Sequence, residues 1–192
     1  MAEQTSGKAE NQSTSVKGSK AKPSSNIMRD IKINKVVINM GTGSDDQKQA
    51  SAVSLLERLT GSKPAASISR HRLPEFKIAK GQKIGAFVSL RGAKAEDTLR
   101  RLFGAVDNKL SKKQVVDNAV NFGIKEYIDI SGIKYDPKLG MLGMNVNVAF
   151  SRPGMRVRER KRARSNTAKR HSLVAREEII SFLQKNFKVS VE

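Results

Sequence analysis

Apolar residues recur along this chain with two periods, one near two and one near 3.6, and these divide it into strands and helices. Ile31 to Met40 is rich in β-branched residues and predicts a first strand, which Gly41-Thr42-Gly43 ends. Ser44-Asp45-Asp46-Gln47 has the form of a capping box, in which the Ser44 hydroxyl accepts from a free amide and Gln47 reaches back. The helix it opens carries Ala52, Leu55, Leu56 and Leu59 at helical spacing, with Gly61 as its stop. Ala65 to Ser69 predicts a short strand. Lys83 to Arg91 predicts a clearer one, with Ile84, Ala86, Val88 and Leu90 alternating up to Gly92. Leu99, Leu102, Phe103, Val106 and Leu110 mark one face of a second helix. Residues 111–140 hold scattered Gly, Asp and aromatic residues and predict a long, partly irregular connection. Met144 to Ser151 alternates again and stops at Arg152-Pro153-Gly154. Ile179, Phe182, Leu183 and Phe187 predict a last short helix, with Ser172 as its cap.

The order is β-α-β-β-α-β, followed by a basic segment and a helix. It predicts an α+β fold of the split βαβ, ferredoxin-like kind: an antiparallel sheet with helices on one face, plus the C-terminal segment and helix. Helices on one face leave the other open. Side chains alternate along a strand, so each face has its own set. Val36, Ile38, Met40, Ile84, Ala86, Val88, Leu90, Met144, Val146, Val148 and Phe150 form the apolar set. Asn39, Ser89, Arg91, Asn145 and Asn147 fall on the opposite surface. An ordinary solvated sheet also alternates, although such faces usually carry Lys, Glu and Thr. Short amides and hydroxyls instead suit phosphates, 2′-hydroxyls and base edges. The alternation itself leaves both readings open.

Composition narrows the choice. The chain has 192 residues, 37 Lys and Arg against 18 Asp and Glu, a formal net charge of +19, and no Cys or Trp. Without cysteine there is no disulfide framework, thiolate metal site or Cys nucleophile. No apolar stretch approaches the ~18 residues of a membrane helix, and the first residues lack the apolar region of a secretory signal. A soluble intracellular protein with a polyanionic partner is the expectation, with no membrane partner. Residues 1–27 have the composition of a disordered tail, either solubilising or an arm that orders on nucleic acid. Residues 28–151 form the expected α+β core, and 152–192 the basic segment and helix. Residues 152–171 carry nine Lys or Arg and one acid, Glu159, which is more than two fifths of the net charge.

Most cations of that stretch are arginines: Arg156, Arg158, Arg160, Arg162 and Arg164 flank Lys161. Arginine grips phosphate bidentately and stacks on bases, and no apolar stripe accompanies the run as a membrane-surface helix would require. A second basic segment, Arg70-His71-Arg72-Leu73-Pro74-Glu75-Phe76-Lys77-Ile78-Ala79-Lys80, lies between the middle strands. Its cations and stackable ring suit RNA. For Phe76 alone, folding back onto the core is the simpler expectation.

Signals for catalysis are weak. Gly41-Thr42-Gly43 sits where a dinucleotide-binding turn would, but Asp46 replaces the third glycine and Asp45 and Asp46 oppose a pyrophosphate. His71 and His171 are the only histidines, both in basic surroundings, and they make neither a metal set nor a triad. No cofactor or metal is expected.

Several segments carry a further signal when read in order. They are Asn39-Met40-Gly41-Thr42-Gly43, Leu59-Thr60-Gly61-Ser62-Lys63-Pro64, Phe76-Lys77-Ile78 and Ile84-Gly85-Ala86-Phe87-Val88-Ser89-Leu90-Arg91-Gly92. Asn121-Phe122-Gly123-Ile124, Gly132-Ile133-Lys134-Tyr135-Asp136-Pro137, Arg152-Pro153-Gly154 and Lys169-Arg170-His171 follow. Together, from about Met28 to Phe187, they resemble the universal fifth ribosomal protein of the large subunit in its archaeal/eukaryotic form. The resemblance implies a ribosomal, cytoplasmic, non-enzymatic RNA-binding protein that holds 5S rRNA on its open sheet face. It also implies contacts with large-subunit rRNA, other 5S-associated ribosomal proteins, the elbow of the peptidyl-site tRNA and a small-subunit head protein.

By that resemblance Asn39 matches an RNA-contacting asparagine. Ser89 keeps a hydroxyl where bacterial members have Thr, and Ser62 stands where they have Gln, losing the amide and its reach. The expected rRNA-binding set is Asn39, Ser62, Ser89, Arg91, Asn145, Asn147, Arg156, Arg158, Arg160, Lys161, Arg162 and Arg164. The expected tRNA-contacting set is Arg70, Arg72, Phe76, Lys77 and Lys80. Two rivals remain at this point: a sequence-nonspecific nucleic-acid-binding or RNA-chaperone protein, and a nucleotide-using enzyme on a split βαβ core.

Overall fold

The computed structural model describes residues 26–137 and 139–192, so the expected tail lies, up to residue 25, outside the described residues. The first strand, β1 (Lys32–Gly41), buries Val36, Ile38 and Met40 on one side and leaves Val37 and Asn39 half-buried on the other. Helix α1 (Asp46–Thr60) crosses to the edge strand β2 (Ala65–Ile68). The middle strand β3 (Lys83–Leu90) pairs antiparallel with both β1 and β2, so it splits the parallel β1/β2 pair. Helix α2 (Ala93–Gly104) follows. The pair β4 (Lys109–Leu110) and β5 (Val115–Val116) leads into β6 (Ala119–Ile124) and β7 (Met144–Ser151). Two short helices, α3 (Arg156–Glu159) and α4 (Lys169–Ser172), precede α5 (Arg176–Phe187) and a last strand, β8 (Ser190–Val191).

Among the described residues the main sheet has the order β2-β3-β1-β7-β6-β5, every neighbour antiparallel. Its first four strands are the expected split βαβ arrangement. The last two extend it. Leu55, Leu56 and Leu59 of α1, Leu99, Leu102 and Phe103 of α2, and Ile179 and Leu183 of α5 all pack into one core on the same side. Ring contacts tie the layers: Phe103 stacks on Phe122 at 5.2 Å, and Phe150 meets Phe182 edge-on at 5.7 Å. Each such fully buried side chain contributes about 1.5–3 kcal/mol of transfer free energy.

Four local expectations are corrected. Helix α1 begins at Asp46 with Asp45 at its cap, and no side chain caps it; Ser44 lies one residue too early for the box. Asp45 instead pairs with Lys48 at 2.8 Å. Helix α2 stops at Gly104, so Val106 and Leu110 are not on its face. Asp107 and Asn108 adopt φ of 53° and 55°, which turns the chain, and Leu110 is buried in β4 instead. The connection expected over 111–140 is irregular only in its second part: residues 125–143 hold just the single turn Tyr127–Asp129 among the described residues, whereas in 111–124 Ser111 and Gln114 form a reciprocal capping box, and Val120, Phe122 and Ile124 alternate into the core. Ser172 ends α4 and does not cap α5, whose cap is Ala175.

The carboxyl end closes the fold. β8 pairs with β4 in parallel, Lys112 N–H donates to the Glu192 carbonyl at 2.7 Å, and Val189 is buried beneath. Asn118, held at φ 63°, donates its backbone N–H to the Val174 carbonyl and accepts the Val174 N–H on its side chain at 2.6 Å. That joint fixes the chain leaving the basic segment to the edge of the sheet.

Gly85 shows how tightly β1 and β3 approach. A Cβ there would lie 2.5 Å from the Met40 carbonyl oxygen, whereas one on the facing Gly41 would meet nothing within 4 Å. Gly85→Ala is expected to lower stability by about 1–3 kcal/mol through overpacking. Thermal melting of Gly85→Ala against Gly41→Ala checks it: only the first should melt early.

Candidate nucleic-acid interface

The side of the sheet away from the helices is uncovered among the described residues, and the strand register determines what meets there. Asn39 stands between Phe87 on β3 and Asn145 on β7. Val37 stands between Ser89 and Asn147, and Asn147 in turn faces Asn121 on β6. Asn39, Asn121, Asn145 and Asn147, with Gln114, Phe122 and Gly123, line an open cavity of about 340 Å³. Gly123 stands close to this row: a Cβ there would come within 3.4 Å of the Asn145 amide oxygen. Among the described residues no charged side chain lines this cavity. Each amide offers two donors and an acceptor, and none of the four asparagine side chains has a hydrogen-bond partner among the described residues.

Sequence reasoning placed Asn39, Asn145 and Asn147 on this face and missed Asn121 and Gln114. The signal for Asn121 was present in the alternation Val120, Phe122, Ile124, but Asn and Gly inside a six-residue run read as loop punctuation, and Gln114 lies in the single turn Lys112–Gln114, where no alternation marks it.

Ser89 is exposed beside Val37, on the amide side of β3. Ser62 lies apart from the amides, half-buried in the turn after Gly61, where its N–H donates to Thr60 Oγ1 at 3.3 Å. Arg91 is exposed just beyond β3. It lines a separate cavity of about 300 Å³ with Asn34, Ser151, Arg152, Arg156 and Glu159. The structure therefore brings Arg91 to the basic segment rather than to the amide row.

The basic segment is a folded lobe held by cross-contacts that step outward from its neck. Arg152 reaches the Arg170 carbonyl at 3.2 Å and Glu178 at 2.5 Å, and His171 Nε2 lies 2.8 Å from the Pro153 carbonyl. Thr167 Oγ1 donates to Met155 Sδ, Ser165 N–H to the Val157 carbonyl at 3.2 Å, and Arg160 Nε to the Ala163 carbonyl at 2.9 Å. Arg156, Arg158, Arg160, Lys161, Arg162 and Arg164 are all exposed along it. No carboxylate pairs with any of these six among the described residues.

The loop between β2 and β3 is a second protrusion. Ser69 and Gln82 close its base, Leu73 and Ile78 bridge across it, and Pro74–Phe76 form a single turn with Lys77 left-handed at φ 55°. Arg70, Arg72, Phe76, Lys77 and Lys80 are exposed. Phe76 does not fold back: it is 65% exposed, because the neighbouring Ile78 occupies the buried position instead.

The Gly41-Thr42-Gly43 turn has no room for a dinucleotide role. The Thr42 hydroxyl is buried and donates to Gln49 Oε1 at 2.9 Å, and Gln49 Nε2 donates to the Gly85 carbonyl at 2.9 Å. The turn is thereby committed to joining α1 to the sheet.

Comparison with known proteins places these surfaces in context. Residues 26–78 match the family described as ribosomal protein L5, and residues 83–185 match the C-terminal region of the same ribosomal family. A large ribosomal subunit protein uL5 from Sulfurisphaera tokodaii is 39% identical over 86% of this chain and 94% of its own length. Its counterpart from Pyrobaculum aerophilum is 43% identical over 86% of this chain and 92% of its own. That from Nanoarchaeum equitans is 42% identical over 85% of this chain and 97% of its own.

Proposed function

This chain belongs to the ribosomal protein L5 family of the large ribosomal subunit, and from that membership we propose that it binds 5S rRNA through the amide face of its sheet. The observation that carries the reading is the convergence of four asparagine amides, without hydrogen-bond partners among the described residues, on an uncovered face, together with a lobe whose exposed cations meet no carboxylate there. Uncharged donors and acceptors read base edges and 2′-hydroxyls; exposed arginines hold phosphates. One surface supplies specificity and the other affinity. The loop at Arg70–Lys80 is the part that reaches the peptidyl-site tRNA, with Phe76 as a stacking platform. Contacts with other 5S-associated proteins and a small-subunit head protein complete the proposal.

Asn39→Leu and Asn121→Leu are expected to keep the fold, since both amides face outward. An RNA group left unpaired at a closed interface costs about 1–3 kcal/mol, roughly five- to 150-fold in affinity. Neither change removes a charge, so the dependence of 5S rRNA affinity on salt should keep its slope. Titration against 5S rRNA with competitor DNA measures both. Unchanged affinity in well-folded variants would refute the amide face. Equal binding to DNA would favour the nonspecific nucleic-acid binder.

A further inference from the structure

The neck of the basic lobe holds a second cationic cleft that the sheet face does not include. Arg29, Arg152, Ala168, Arg170, His171 and Glu178 line a cavity of about 320 Å³. Glu178, the sole carboxylate in it, is already engaged by Arg152. Arg29 and Arg170 are exposed, and their guanidinium groups have no acceptor among the described residues. Arg152 is only 13% exposed, and its Nε is buried with no partner. The cleft thus has two guanidinium groups on its walls with no acceptor among the described residues, and a third, held by Arg170 and Glu178, whose buried Nε–H has no partner there.

Its position separates it from the amides. Glu178 belongs to α5, and α5 lies on the helix side of the sheet, where Phe182 packs on Phe150. RNA lying on the amide face cannot reach this cleft without turning around the end of the sheet.

We propose that Arg29, Arg170 and the wall formed by Arg152 and His171 are a seat for one phosphate of an RNA backbone segment other than the one on the amides. The planar fork of a guanidinium matches phosphate oxygens bidentately, and two convergent forks fix its direction. This rests on the RNA-binding reading above. A phosphate there also bridges Arg29, ahead of β1, to Arg170, where the chain returns from the lobe, and so clamps the neck. The protein would then be gripped from both sides of its sheet.

The double variant Arg29→Ala/Arg170→Ala tests it. Both side chains are exposed, and the Arg170 carbonyl that Arg152 uses is retained, so melting should match the wild type. Binding to 5S rRNA and to large-subunit rRNA is measured over a salt series for wild type, this variant and Asn39→Leu. In parallel, inorganic phosphate is titrated while the Arg152 Nε–H and His171 ring signals are followed by NMR. For at least one RNA, the double variant should flatten the log–log salt slope by about 0.7–0.9, one phosphate contact, while Asn39→Leu leaves the slope alone. Phosphate should shift both signals saturably in wild type and not in the double variant. Unchanged slopes with both RNAs overturn the seat even if Asn39→Leu weakens binding as expected. A retained phosphate response with unchanged RNA slopes assigns the cleft to another phosphate source and overturns it equally. If the wild type binds neither RNA, the reading of the sheet face falls, and this one with it.

Discussion

Charge reversal of the lobe, Arg158, Arg160 and Arg162 to Glu, should weaken RNA binding more than any change on the amide face. Giving up three phosphate partners removes their counterion release and flattens the log–log salt slope by about 2–3. The introduced carboxylates then add repulsion where cations stood. All three side chains are exposed, and only the Arg160 bond to the Ala163 carbonyl is sacrificed, so stability should move little. Phosphate contacts carry no sequence information, so 5S rRNA and unrelated RNA should weaken by similar factors. Filter binding with both RNAs across a salt series measures this. A loss confined to 5S rRNA would show that the lobe reads shape or sequence.

That contrast between the surfaces rests on how each is built. The amide row is held by the ladder of β1, β6 and β7, where neighbouring strands fix each side chain to within the pleat. The lobe has no such ladder. It is held by its neck contacts, by Ser165 to Val157, and by the joint of Asn118 with Val174. Rigid presentation suits hydrogen bonds, whose strength falls steeply with misalignment; looser presentation suffices for charge.

The same difference explains what the sequence disclosed. Strands with strict period-two alternation, such as Met144 to Ser151, revealed both their limits and their faces, and so placed Asn39, Asn145 and Asn147 correctly. β6 was hidden because Asn121 and Gly123, which line the open cavity on its outer face, are also turn residues. The end of α2 was hidden because Val106 and Leu110 keep the apolar spacing after the backbone has turned at Asp107 and Asn108. The helical cap was misplaced by one residue because Ser44 and Asp45 both satisfy the cap preference. The folding of the lobe was beyond any periodicity: its contacts pair Arg152 with Arg170 and Pro153 with His171, across a run whose composition alone speaks of solvation. Arginine density raised the expectation of an anionic partner for that stretch. It did not announce a shape.

Removing the charges of the loop, Arg70, Arg72, Lys77 and Lys80 to Ala, should separate two activities that the lobe and the amides leave joined. The loop projects from the β2/β3 edge, whereas the amide row lies across β1, β7 and β6, three strands that do not include the loop's own anchor β2. Its fixed points are backbone bonds at Ser69, Gln82, Leu73 and Ile78, and the buried Ile78 side chain, none of which the four changes touch. Stability should therefore be nearly unchanged, as is usual for exposed loop positions. Free 5S rRNA should bind with wild-type affinity and salt slope. Ribosomes assembled with the variant should hold peptidyl-site tRNA less tightly, with a salt slope flattened by about 3–3.5 if all four cations meet phosphates. Phe76→Ala in the same assay should weaken tRNA by roughly 1–3 kcal/mol without altering the slope, because stacking on a base releases no counterion. The two salt curves, one for 5S rRNA in solution and one for tRNA on the ribosome, decide between the surfaces. A flattened 5S curve beside an unchanged tRNA curve would assign the loop to the 5S interface. The exposed ring of Phe76 would then belong to the grip on 5S rRNA.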